Sequence, residues 1–300
     1  MHDFLMSLLP WGTDAVLWVQ GFRSPALDVF FKAVTFLGEE EFYLLLMPLL
    51  YWLVDKRLGA RLAVGLLSGV CLNNWLKDLF YIPRPDPLRV ARLVQETSYA
   101  FPSGHAQNST VLFGFLAAQI RRRAGWAVGL ILVATVALSR VYLGVHYPQD
   151  VMGGFLIGAI YLFLYLRLQG PAAGWLGRQR LAMRLAVALL LPIAVALIHP
   201  TEGAVVPLGT LTGFGVAYVL EAEWVRFQVD GLWWQRVLRY LVGVLVILIV
   251  YVGLKVVFPE GTTFRFLRYS CVGLSVGVAA PWLFVKMGLA AAARGGGSDR

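Results

Sequence analysis

Apolar runs about as long as a bilayer is thick alternate with short polar breaks along most of the 300-residue chain. Residues 181–198 and 237–257 each approach the ~20 residues that a helix needs to cross a hydrocarbon core. This pattern predicts an all-α polytopic transmembrane helical bundle of about nine spans, near 39–54, 58–80, 105–120, 125–143, 151–168, 182–199, 204–220, 236–257 and 267–288. Residues 13–37 mix Arg23, Asp28 and Lys32 with Phe30, Phe31 and Phe36, which suits a helix lying at the interface; an additional span there is the alternative. Gly-x-x-x-Gly spacings at Gly65/Gly69, Gly154/Gly158, Gly209/Gly213 and Gly273/Gly277 let helices approach closely, and packing within one bundle is expected from them.

Composition agrees with a lipid solvent. Hydrophobic residues make up 59% of the chain and charged residues 14%, and the mean hydropathy is +0.70, too little polar surface for a soluble domain of this length. Residues 1–10 lack a basic leader and cleavage site, so targeting is expected from the first span. Cys71 and Cys271 lie in apolar runs and are read as two thiols rather than a disulfide.

The net charge of +9 reflects topology rather than nucleic acid. About 16 basic residues fall on one side of the span map, among them Lys56, Arg57, Arg61, Arg121–Arg123, Arg226, Arg236 and Arg239. The other side carries about 8: Lys77, Arg84, Arg89, Arg92, Arg140, Lys255, Arg265 and Arg268. The basic side is expected to be cytoplasmic.

Three polar islands fall on the opposite, outer side. In the first, Lys77 and Arg84 are seven apart at the end of the second span, on nearly one helix face, with Pro83 and Pro85 ending the helix. They can converge on one anion; each alone can equally snorkel to the headgroups. In the second, Phe101-Pro102-Ser103-Gly104-His105 opens the third span. Ser103 is expected as an N-cap and Gly104 permits close backbone approach at a helix start, where phosphate oxygens are favoured. In the third, Arg140 precedes His146 and Asp150, which are four apart, with Pro148 in the first turn of the next helix. A carboxylate so placed can hold an imidazole in one tautomer. Any one island can be a cap or an interfacial ion pair. Together they bring two histidines, a carboxylate and three fixed cations to one membrane face.

The spacings Lys-x6-Arg-Pro, Pro-Ser-Gly-His and Ser-Arg-x5-His-x3-Asp resemble the signature of the type 2 phosphatidic acid phosphatase family, without departure at any motif position. The nine-span layout is similar to the glucose-6-phosphatase and sphingosine-phosphate phosphatase branches. The resemblance implies that His146 attacks phosphorus, Asp150 orients it, and His105 protonates the leaving oxygen and later activates water. It also implies that Lys77, Arg84, Ser103, Gly104 and Arg140 hold the phosphoryl group. Residues 39–168 would form the catalytic core, 1–38 an N-terminal interfacial segment, 169–288 additional transmembrane helices and 289–300 a disordered tail.

No cofactor and no metal are expected, since no His-x-x-x-His or Cys-x-x-Cys spacing occurs. The expected partners are a membrane lipid phosphate and the bilayer, with no nucleic acid. The motifs read only the phosphate end, so isoprenyl pyrophosphates, phosphatidic acid, phosphatidylglycerol phosphate, sphingoid base phosphates and sugar phosphates all remain candidates. Vanadium haloperoxidases carry a similar site but are soluble or peripheral. A transporter would place its charges near the midplane and show repeated halves. The expected location is the cell (inner) membrane, with the site facing the periplasm or exterior.

Among the remaining polar residues, Asn73 and Asn74 are candidates for support behind the phosphate site or for helix packing. Glu39, Glu40, Glu41, Glu221 and Glu223 are read as interface charges. His2 is read as terminal and His199 as a span end. The 81–101 segment, with Arg89, Arg92 and Glu96, is read as a lid or headgroup reader.

Overall fold

Local chemistry sets the helix boundaries. Ser24 caps the third helix by accepting from Leu27 N at 3.3 Å, and Pro25 follows at the first helical position. Tyr81 turns the chain into a positive φ of 40°, and Pro83 keeps the fifth helix from resuming. The computed structural model describes residues 1–198 and 201–293. His199 and the tail from residue 294 lie outside the described residues.

The helices run in the order α1 (His2–Ser7), α2 (Leu9–Gln20), α3 (Pro25–Thr35), α4 (Glu40–Leu49), α5 (Lys56–Phe80), α6 (Gly104–Ile120) and α7 (Arg123–Tyr142). They continue with α8 (Pro148–Gly177), α9 (Leu181–Ile198), α10 (Glu202–Leu220), α11 (Trp233–Val257), α12 (Thr262–Leu274) and α13 (Ala280–Lys286). Extended pairing among the described residues is limited to an isolated bridge between Phe227 and Ala292.

Among the described residues, six helices are long and apolar enough to cross a membrane: α7, α8, α9, α10 with the π-turn that follows it, α11, and α12 running through to α13. The helices at the other three expected spans do not meet that measure of length and apolarity. The 39–54 stretch is the ten-residue α4, with Pro48 inside it, followed by a π-turn over Leu50–Val54. α6 has 17 residues, and α5 carries Asn73, Asn74, Lys77 and Asp78 near its end. Apolar side chains along α9 and α11, such as Leu190, Leu191, Leu245 and Ile249, point outward, as lipid-facing helices require. This is an integral membrane protein.

The chain divides into two units. The first comprises Met1–Leu44 and Ser68–Pro171, the second Leu45–Leu67 and Ala172–Arg300. In the first, α3 packs on α7 through Phe31 and Tyr142, whose ring centroids are 4.3 Å apart, and the Tyr142 hydroxyl donates to Asp28 at 2.7 Å. α6 and α8 meet at glycines: a Cβ on Gly158 would come within 2.9 Å of the Gln107 carbonyl oxygen.

In the second unit the same device joins α10 to α12, where a Cβ on Gly209 would lie 2.6 Å from the Phe266 carbonyl oxygen. These glycine spacings therefore serve packing within the chain. Tyr51, Trp52, Phe214, Phe227 and Phe284 form an aromatic core there. Two charges depart from the sequence reading. Arg239 is no loop anchor: it is fully buried and donates to the carbonyls of Trp52, Val229, Asp230 and Leu289 at 2.8–3.0 Å. Glu221 is no interface charge: it is fully buried and pairs with Lys56 at 2.9 Å. Both cysteines are free thiols.

Candidate active site

The three islands come together in the first unit. Lys77, on the last turn of α5, donates from Nζ to Ser98 Oγ at 3.0 Å and to the Tyr99 carbonyl at 2.6 Å. Arg84 donates to the same Ser98 hydroxyl at 3.1 Å, so the two cations do converge, on a residue with no motif of its own. Arg84 also donates to the Ser98 carbonyl at 2.6 Å and to Glu96 Oε2 at 3.3 Å. Burial pushes the Arg84 guanidinium down to about 10, with Glu96 opposing the shift and Arg140 adding to it.

Arg140 is fully buried on the last turn of α7. It donates to Thr35 Oγ1 at 2.6 Å and to Glu96 Oε1, and stands 3.8 Å from Glu39 Oε1. Glu96 therefore links the two arginine forks. It does more than dilute the charge of a loop.

His146 follows α7, and its ring lies between Arg84 and Asp150. Arg84 Nη1 is 3.1 Å from Nε2, and Asp150 Oδ2 is 3.4 Å from Nδ1. Arginine can only donate, so Nε2 accepts; Nδ1 then carries the proton and donates toward Asp150. The imidazole is held neutral, well below its ordinary value, first by burial and then by Arg84, Lys77 and Arg140. Asp150 Oδ2 also accepts from Tyr147 N at 2.8 Å, which fixes the carboxylate in the first turn of α8.

The second island lies against the third. Ser103 occupies the N-cap position of α6, but its hydroxyl makes no cap bond, contrary to the expectation. It is fully buried without a hydrogen-bond partner among the described residues, and Asp150 Oδ1 and Arg140 Nε share that condition. Buried polar atoms are nearly always paired, so these three retain capacity for a polar ligand. Behind Gly104, a Cβ would stand 3.0 Å from Asn73 Oδ1, and Asn73 donates to Gln107 Oε1 at 2.9 Å. Asn73 thus supports the α6 start, while Asn74 turns back to its own helix at the Val70 carbonyl. His105 Nε2 lies 3.2 Å from Glu39 Oε1, an ion-pair distance without hydrogen-bond geometry.

The 81–101 segment is tethered rather than free. Gln20 of α2 accepts from Ala91 N at 3.1 Å and donates to its carbonyl at 2.7 Å; Leu93 N reaches the Leu143 carbonyl at 3.0 Å. Arg92 folds back on the Pro85 carbonyl, closing the loop on itself. Sequence reasoning missed Glu39, Thr35 and Ser98 as neighbours of the site. Their partners lie from 14 residues away, for Ser98 and Arg84, to 105 residues away, for Thr35 and Arg140, and no local pattern marks them.

Comparison with known proteins bears on the family. Residues 58–174 match the model of the PAP2 superfamily, and residues 205–293 match that of the PAP2 superfamily phosphatase transmembrane extension. The chain is 31% identical over 155 residues to phosphatidylglycerophosphatase B of Bacillus subtilis, covering 47% of this chain and 75% of that protein. It is 31% identical over 189 residues to lipid phosphate phosphatase delta of Arabidopsis thaliana, covering 55% of this chain and 45% of the relative. It is 32% identical over 142 residues to mouse sphingosine-1-phosphate phosphatase 2, covering 45% and 40%. The chain thus spans less than half the length of these two eukaryotic relatives. Fold and site define a helical integral membrane protein with a buried cluster of cations around two histidines. The chain belongs to the PAP2 superfamily.

Proposed function

We propose that this protein is a lipid phosphate phosphatase that works through a phosphohistidine on His146. The observation that carries the reading is the ring of His146, whose Nε2 lone pair faces Arg84 while Nδ1 faces Asp150. Nε2 attacks phosphorus, and the bond from phosphorus to the leaving oxygen breaks with its electron pair on that oxygen. His105 supplies the proton to the oxygen. Water then attacks the phosphorus, His105 takes its proton, and the P–N bond breaks to restore the lone pair on Nε2. Lys77, Arg84 and Arg140, with Ser103 and the Gly104 backbone, hold the phosphoryl oxygens as charge moves through the transition state. Glu96 keeps the two arginine forks aligned until those oxygens take its place.

The substrate class follows from two supports. Several named relatives act on phosphorylated lipids, and the site residues cluster near helix ends, where a headgroup can enter from the bilayer. The testing experiment measures phosphate release by purified protein in detergent from isoprenyl pyrophosphate, phosphatidic acid, phosphatidylglycerol phosphate, a sphingoid base phosphate and a sugar phosphate. Turnover of the lipid substrates is expected to exceed that of the sugar phosphate; the reverse order would sink the lipid assignment.

The basic-loop asymmetry supports a site facing the periplasm or exterior of the cell membrane. Leu88 is 93% exposed and Arg122 is also exposed, so a cysteine at either position is accessible to a reagent on its own side. In intact cells a membrane-impermeant thiol reagent is expected to label Leu88→Cys and spare Arg122→Cys. Labelling of the second alone would invert the topology.

A further inference from the structure

We propose that Glu39, which lies outside all three motifs, is the positioning carboxylate of His105; the inference rests on the proton-transfer role of His105 given above. Glu39 Oε1 is 3.2 Å from His105 Nε2. Glu39 follows a short 3₁₀ turn over Phe36–Gly38, and its backbone N–H closes that turn on the Phe36 carbonyl at 3.1 Å. The turn is seated directly on the imidazole: a Cβ on Gly38 would come within 2.6 Å of His105 Cδ2. Ring and carboxylate are therefore held together by backbone placement as well as by charge.

The chemistry requires such a partner. His105 must carry a proton when the leaving oxygen departs, yet it stands in a cationic neighbourhood. Arg140, fully buried, is the nearest fixed cation, and a nearby cation disfavours imidazolium. The other charged and titratable groups around the pair are already engaged or neutral. Glu96 serves Arg84 and Arg140, and Asp150 serves His146 and the Tyr147 backbone. Tyr43, close enough to sense both Glu39 and Arg140, is a buried phenol. Glu39 is the carboxylate within ion-pair distance of His105 among the described residues. Nε2 faces Glu39 at ion-pair distance without hydrogen-bond geometry, which leaves Nδ1 as the nitrogen that exchanges the proton. The pairing repeats, for the acid, what Asp150 does for the nucleophile.

The experiment compares Glu39→Gln with wild type on two phosphomonoesters, dodecyl phosphate and nitrophenyl phosphate, across pH. An alkoxide needs its proton to leave and nitrophenolate hardly does. Glu39→Gln is expected to lower dodecyl phosphate turnover by about 10²-fold, within the range of general acid catalysis, and nitrophenyl phosphate turnover by less than about tenfold. The alkaline limb of the dodecyl phosphate profile is expected to move down by about 1–3 pH units, the usual effect of losing an opposite charge at this range. Glu39→Asp, which keeps the charge, restores most of the limb. Equal losses on both esters with an unmoved limb overturn the proposal, as does a lower KM with unchanged pH dependence, the mark of a carboxylate that merely blocks the site. His105→Ala, run in parallel, separates the two layers. If it too fails to discriminate between the esters, the acid role of His105 falls. If it discriminates and Glu39→Gln does not, only the Glu39 assignment falls.

Discussion

The backbone N–H of Ser103 donates to the carbonyl of Asp150 at 3.0 Å, joining the start of α6 to the start of α8. Through this one bond the segment that carries His105 and the turn that orients His146 share a common frame. Under the proposed mechanism, groups held this way need little reorganisation as charge shifts.

His146→Ala removes the proposed nucleophile, and turnover is expected to fall by several orders of magnitude with no phosphoenzyme detectable. Asp150→Asn is nearly isosteric, yet its amide can present a donor to Nδ1 and reverse the tautomer. A loss of up to about 10⁴-fold is expected, by analogy with carboxylate-to-amide changes behind other catalytic histidines. Mass spectrometry after a quench that avoids acid checks both variants. An adduct on His105 in the His146→Ala protein would reverse the assignment of nucleophile and acid.

The neutral state of His146 makes a pH prediction. Attack needs the Nε2 lone pair, and burial together with Arg84, Lys77 and Arg140 holds the imidazole unprotonated well below its ordinary value. Activity therefore persists as pH falls below about 6.5, the ordinary histidine value, and is lost only where the folded-state imidazole at last protonates. Arg84→Gln removes a cation beside Nε2, so the acid limb of kcat/KM is expected to move upward. Movement only part of the way is expected, because burial, the larger cause, remains.

Three fixed cations supply the positive charge in this scheme. EDTA is expected to leave turnover largely intact, and vanadate, which takes five-coordinate geometry on an imidazole nitrogen, is expected to inhibit. Loss of activity on chelation, restored by magnesium, would count against residue-borne charge as the main stabiliser.

Gly158 meets the backbone of α6, so Gly158→Leu has nowhere to put its side chain. Overpacking of this kind costs about 1–3 kcal/mol, to be read as a lower thermal midpoint in detergent along with reduced turnover. Gly170→Ala is the control, since nothing lies within 4 Å of its Cβ. Equal behaviour of the two variants would mean that the α6–α8 contact does not hold the site.

The motif residues are legible because they lie where ionisable groups, costly in lipid, break an apolar run. Lys77, Arg84, Ser103, Gly104, His105, Arg140, His146 and Asp150 all sit in such breaks, and the structure gathers them in one unit. The same chemistry blurred the span count. The polar residues that end α5 lower its apparent hydropathy, and α6 is short. Glu39 and Ser98 were illegible for a different reason. Acidic and hydroxyl residues near helix ends look like ordinary surface, and only the folded chain brings Glu39 to His105 or Ser98 between Lys77 and Arg84. Ser103 stands at the cap position of α6, but its hydroxyl stays uncommitted.

The Gln20 clamp on Ala91 bears on where this protein's working unit begins. The family's shared profile starts at residue 58, whereas Gln20, Thr35 and Glu39 come from upstream of it. A polypeptide trimmed to that boundary would keep every signature residue and still lose the brace on its 81–101 loop, one anchor of Arg140 and the neighbour of His105. The family match and the set of residues that brace the candidate site therefore have different edges.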